Sequence, residues 1–233
     1  QKTAYEIRLS LVGSEMCIRD RVTYKFSAWK TKRDLDRNSN KLDDRKLKNL
    51  NTKMAKALDL PDIKVNVYEI SPINGLAAPD GRIFITRGFI DKYISGDVSA
   101  EEMASVIAHE IGHVALGHTR KRLIDFSGQN VVRVLLTSVL GRLVPGVGIW
   151  IANSITTLLA AKLSRNDEYE ADAYASALLI KSGIGTDPQI KLFEKLEKLT
   201  NSSTNGAPAW LLSHPKTLDR ISAIRKNEIK WKK

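Results

Sequence analysis

Cysteine is almost absent: the 233 residues hold one, Cys17. That excludes a disulfide framework and a cysteine-rich zinc site. No uncharged apolar run reaches the roughly 20 residues that a membrane helix needs. The longest, residues 143–161, is interrupted by Pro145, Gly146, Gly148, Asn153, Ser154, Thr156 and Thr157. Aromatics make up 6% of the chain and the lysines are spread out. No aromatic–basic stacking motif results, so a nucleic-acid partner is not expected. Histidine is scarce too, and three of the four residues fall between positions 109 and 118. What remains is ordinary globular composition, 42% hydrophobic and 27% charged, with ample material for a core. The net charge of +11 favours anionic partners and says nothing about fold.

The first twenty residues read as translated sequencing adapter rather than protein. One adapter block gives Gln1-Lys2-Thr3-Ala4-Tyr5-Glu6 and opens Ile7, an index spans Ile7 to Ser10, and a second block gives Leu11 through Asp20. On this reading residues 1–21 are an artefact, excluded as one excludes a fusion scar. The expected native part is Val22–Lys233. It has no cysteine, and its charge is +10 once the four basic and three acidic residues of 1–21 are set aside. Nothing about location is expected from the start of such a chain.

Residues 22–42 are polar and read as a lead-in, with a single domain expected over 43–233. Leu47, Leu50, Met54 and Leu58 recur at helical spacing, which predicts a helix over 43–59, ending near Pro61. Residues 63–70 read as a strand, and Ile83–Thr86 as a second one after the turn signal Pro79-Asp80-Gly81. Ser99 with Glu102 forms a capping box, which predicts a helix running to at least Gly117. Beyond it the chain reads as helical, with breaks at 145–148, 183–188 and 201–208. No internal repeat or low-complexity segment is present.

His109-Glu110-Ile111-Gly112-His113 fits H-E-x-x-H. Histidines four apart project from one helix face and can take adjacent corners of a zinc tetrahedron. Glu110 lies about 100° round the helix from His109, close enough to reach a water at the metal without ligating. At this composition, chance gives the bare pattern about three times in a thousand. A metzincin would need glycine and histidine where the chain has Leu116 and Thr119. His118, about 140° round a continuing helix from His113, makes a poor third ligand. It reads instead as a surface histidine or as a partner behind the metal site.

Catalytic zinc takes three protein ligands and leaves one position open. The acidic candidates lie in Asp167-Glu168-Tyr169-Glu170-Ala171-Asp172. Glu168 and Asp172 share a helix face with Ala171, Ala175 and Leu179, whereas Glu170 falls about 200° from Glu168. Carboxylates buried on such a face need a cation to offset their desolvation. That selects Glu168 as third ligand, with Asp172 accepting the second N–H of a ligand histidine.

H-E-x-x-H followed by Glu168-Tyr169-Glu170-Ala171-Asp172 resembles one gluzincin family. It comprises HtpX-type heat-shock proteases, CAAX prenyl proteases, mitochondrial Oma-type proteases and bacterial periplasmic relatives. Ser164-Arg165, Ser213-His214-Pro215 and Arg220 belong to the same likeness, which covers about residues 40–228. The resemblance implies an α+β, mostly helical, zincin-like fold with a small sheet edge beside the H-E-x-x-H helix. It implies Glu168 as zinc ligand and Asp172 as its companion. It also places His214 near the metal, to stabilise the oxyanion or cap the zinc, with Arg220 assisting; from the residues alone, a histidine before Pro215 is as well read as a helix cap. Where the family reads Asn-Ala-Phe-Ala, this chain has Asn74-Gly75-Leu76-Ala77 and then Ile83, Phe84 and Ile85. The resemblance implies that an edge strand here binds an extended substrate by strand addition.

The expected function is zinc-dependent endopeptidase, with one Zn²⁺ per chain held by His109, His113 and Glu168. Zinc there would acidify water and polarise a scissile carbonyl, while Glu110 works as general base and then acid. Substrates would be unfolded or membrane-associated proteins in protein quality control, at the bacterial cell envelope. The alternative is a zinc-containing, chaperone-like binding protein with little proteolysis. HtpX-type members span the membrane between the two motifs, but residues 131–161 read better here as a buried or membrane-leaning helical hairpin. The basic end, Lys226–Lys233 with Trp231, reads first as solvated and second as a peripheral membrane contact.

Overall fold

The computed structural model describes residues 32–78, 80–118, 148–202 and 217–231. The adapter-like start, His214 and the interval 119–147 lie outside the described residues. The chain divides into two compact units, residues 1–37 with 120–160 and residues 38–119 with 161–233. The second unit carries the features below.

Among the described residues the elements in order are β1 (Ser39–Lys41), α1 (Arg45–Ala57), β2 (Val65–Tyr68), β3 (Gly75–Ala77), β4 (Ile83–Thr86), α2 (Arg87–Ile94), α3 (Ala100–Ala115), α4 (Gly148–Lys181), of which residues 161–181 belong to the second unit, α5 (Asp187–Ser202) and α6 (Thr217–Trp231). The fold is therefore α+β and mostly helical, as the resemblance implies. Among the described residues no helix is long and apolar enough to cross a membrane.

The sheet order is β1-β2-β4-β3. β2 and β4 run parallel, Val65 opposite Ile83, while β1 and β3 pair antiparallel at the two flanks. β4 is a central strand with both faces covered, and Ile83, Phe84, Ile85 and Thr86 are all buried. A run of four apolar or β-branched residues suits that place better than an alternating one. This corrects one expectation. Ile83, Phe84 and Ile85 do not form an edge, because β2 and β3 take up the backbone on either side; the edge beside the H-E-x-x-H helix is β3.

Two of the four strands escaped the sequence reading. β1 lies inside the polar lead-in, and its side chains are exposed or half-exposed. Asn40 on β1 donates to Glu69 at the end of β2, 3.0 Å away, so the strand is polar because it faces water. β3 is only three residues long. Its entry is fixed by Thr86, whose hydroxyl accepts from the Asn74 N–H at 2.9 Å and donates to the Asn74 carbonyl at 3.0 Å.

α3 is the central helix. Ser99 Oγ accepts from the Glu102 N–H at 3.2 Å, and the Glu102 carboxylate accepts from the Ser99 N–H at 2.7 Å. These bonds satisfy orphan donors of the first turn. Lys195 of α5 adds a 2.8 Å ion pair to the same carboxylate. From Glu102 to His113 every residue is buried, between α1, α5 and the β3–β4 side of the sheet. The helix stops at Ala115. Leu116 caps it, and Gly117 follows in the left-handed region at φ +71°, where a missing Cβ removes the penalty.

Candidate metal centre

α3 presents His109 and His113 on one face, and α4 presents Glu168 opposite them. Their exposures are 2%, 3% and 1%. His109 Nε2 and His113 Nε2 lie 3.1 Å apart. Glu168 places one oxygen 3.4 Å from His109 Nε2 and the other 3.5 Å from His113 Nε2. Tetrahedral zinc with bonds of about 2.0–2.2 Å sets neighbouring donors about 3.3–3.6 Å apart. The two nitrogen–oxygen separations fall in that range and the nitrogen–nitrogen one just under it, so two imidazole nitrogens and a carboxylate fit zinc in donor chemistry and closely in spacing.

The two helices meet this closely because glycine and alanine face each other. A Cβ built at Gly112 would fall 2.9 Å from the Ala171 carbonyl oxygen and 3.3 Å from Tyr174 Cβ. The residue between the two histidines thus sets the distance to the helix that carries Glu168.

Behind the three side chains stands a buried charge pair. His109 Nδ1 is 2.9 Å from Asp172 Oδ1. Arg220 of α6, 1% exposed, grips Asp172 through two nitrogens, one at 2.8 Å from Oδ1, and reaches within 3.5 Å of Glu168. Burial opposes ionisation of Asp172, but the Arg220 guanidinium prevails and holds its carboxyl below the usual range. For His109 burial favours the neutral ring, yet hydrogen bonds to Asp172 and Glu168 outweigh it and raise the pKa to about 9. Arg220, read from the sequence as an aid at the oxyanion, is placed against the carboxylates instead, with its guanidinium 4.5 Å over the Phe193 ring.

Glu110 is 2% exposed and lies beside β3. A Cβ at Gly75 would come within 3.2 Å of its Oε1, so the small residue leaves the carboxylate room at the sheet edge. His118 was set aside as a ligand on helical geometry. The turn at Gly117 ends that geometry and folds the ring back until its Nδ1 is 3.1 Å from His113 Nδ1. The glycine just past the last apolar residue of α3 is the sequence signal for this return.

Residues 41–228 match peptidase family M48. The chain is 32% identical over 163 residues to the metalloprotease LoiP of Escherichia coli (strain K12), covering 70% of this chain and 62% of that one. It is 32% identical over 190 residues to the metalloprotease YcaL of the same organism, covering 74% and 66%. Against the protease HtpX of Pseudomonas aeruginosa (strain LESB58) it is 24% identical over 204 residues, covering 72% and 67%. The chain thus spans less than two thirds of the length of the two Escherichia coli relatives.

Proposed function

Because the chain belongs to peptidase family M48, we propose that it is a zinc-dependent endopeptidase acting on unfolded or membrane-associated proteins. The observation that carries this reading is the meeting of His109, His113 and Glu168, whose ligand atoms all lie within 4.8 Å of one another. Zinc held there supplies a Lewis acid that makes water more acidic and polarises a carbonyl.

The chain's own residues do the rest. Glu110 takes a proton from the attacking water and returns it to the leaving amine. β3 offers its outer edge to an extended peptide, with Asn74 and Thr86 fixing the strand's entry. Asp172 holds the His109 ring by its Nδ1–H, and Arg220 keeps Asp172 ionised. His214, assigned through the family likeness alone, is the candidate donor to the developing oxyanion.

Such a site needs a substrate without fixed structure, because only an extended segment can pair along β3. That requirement supports a quality-control role, and the basic surface is compatible with work beside the anionic membrane of a bacterial cell envelope. The test is hydrolysis of a chemically unfolded protein. Cleavage should stop with a chelator, return with zinc and be missing in Glu110→Gln. Binding of the unfolded protein with no cleavage by the zinc-loaded chain would overturn the reading in favour of a chaperone-like protein.

A further inference from the structure

We propose that His118 is the positioning residue for the second ligand histidine: it accepts the Nδ1–H of His113 and thereby fixes the tautomer that leaves His113 Nε2 to the metal. The inference rests on the assignment of His113 as a zinc ligand.

The geometry is specific. His118 is 2% exposed, and its Nδ1 is 3.1 Å from His113 Nδ1. Two ring nitrogens at that distance need one donor and one acceptor. Metal on His113 Nε2 puts that ring's proton on Nδ1, so His118 Nδ1 accepts. The His118 proton then sits on Nε2, which faces Glu170 Oε2 at 3.1 Å and Asp167 Oδ1 at 3.8 Å. Each nitrogen meets a partner of the right kind. The two ligand histidines are thus oriented differently, His109 by a carboxylate and His113 by an imidazole nitrogen. That imidazole ends on Glu170, whose side chain is 61% exposed.

The same three side chains, His118, Asp167 and Glu170, could be taken for a second cation site, since their ligand atoms also lie within 4.8 Å of one another. Proton bookkeeping argues against it. A cation on His118 Nε2 would put a proton on His118 Nδ1, directly opposite the proton on His113 Nδ1.

The test uses the full chain. Zinc affinity of the metal-free protein is measured by competition with a chromogenic chelator, for wild type, His118→Leu, His118→Asn and, as control, His113→Ala. Outer partners of ligand histidines contribute about 10–100-fold in metal affinity, so His118→Leu should weaken zinc by that factor. His118→Asn, with an amide oxygen near the place of Nδ1, should restore affinity to within about threefold of wild type. Independently of any variant, ring ¹H–¹⁵N spectra of the zinc-loaded wild type should show His113 protonated on Nδ1 and His118 on Nε2. Wild-type affinity in His118→Leu, His118→Asn no better than His118→Leu, or a proton on His118 Nδ1 would each overturn the proposal. So would a second zinc lost with His118. A wild type that binds no zinc, or His113→Ala binding as tightly as wild type, would instead break the ligand assignment beneath it.

Discussion

Gly112 rests on the backbone of Ala171, with its missing methyl directed at the Ala171 carbonyl oxygen 2.9 Å away. On an open helix, glycine to alanine stabilises by about 1 kcal/mol. Here the added methyl meets backbone, and overpacking of this kind typically costs about 1–3 kcal/mol. Gly112→Ala should therefore reverse the usual sign, lowering stability in urea and weakening zinc by pushing Glu168 away from the two histidines. A variant that gains stability with unchanged zinc affinity would show that the contact does not set the helix separation.

Glu110→Gln should separate chemistry from metal. The amide keeps the shape but cannot take a proton. Peptide hydrolysis should fall by about 10²–10⁴-fold, with zinc content unchanged, as read by elemental analysis beside a turnover assay.

Asp172→Asn should do more damage than its small size suggests. It removes the carboxylate that Arg220, a side chain 1% exposed, grips with two nitrogens, and leaves it Glu168 at 3.5 Å. Stranding one member of a buried pair costs about 3–5 kcal/mol, and the His109 ring loses its ionised acceptor. Chemical unfolding should show the stability loss and chelator competition a weaker hold on zinc. An unchanged unfolding midpoint would mean that Glu168 alone balances Arg220.

Gly117→Ala tests the turn that returns His118. Nothing lies within 4 Å of a Cβ built there, so the penalty comes from φ +71° alone, on the order of 1 kcal/mol. Gly117→Asn should cost less, because asparagine tolerates that region. Equal losses in the two would point to packing rather than backbone conformation.

Acid should loosen the joint between β2 and α2. Hydrogen bonds from Arg87, and then from Asn40, lower the Glu69 pKa from 4.5 to about 2. A depressed folded-state value means that the pair's contribution is full above pH 4.5 and fades as pH falls toward 2. Both side chains are more than a third exposed, so the contribution is at most about 1 kcal/mol. The stability gap between wild type and Glu69→Gln should shrink across that window; a gap independent of pH would remove the pair from the account.

Much of this was legible because it is periodic. The capping box, the α1 stripe of Leu47, Leu50 and Met54, and the shared face of Glu168 and Asp172 are repeats that a helix imposes on sequence. The parts that escaped lack a repeat. β1 is polar because it is an edge, β3 is too short to alternate, and α2 follows β4 with Thr86 making no side-chain cap bond. Strand order was illegible for another reason: a parallel neighbour leaves no local mark, so β4 read as an edge and proved central. His118 was read as a surface histidine or a partner behind the metal site; the turn at Gly117 decides for the second, leaving it buried against His113.

Arg220 also fixes a matter of timing. A ribosome delivers His109, His113, Glu168 and Asp172 well before it delivers the guanidinium that balances them. Until position 220 has been made, Asp172 and Glu168 lack the guanidinium that faces them in the folded chain. The centre is therefore completed from the far end of the sequence, by a side chain 48 positions beyond the Asp172 that it grips.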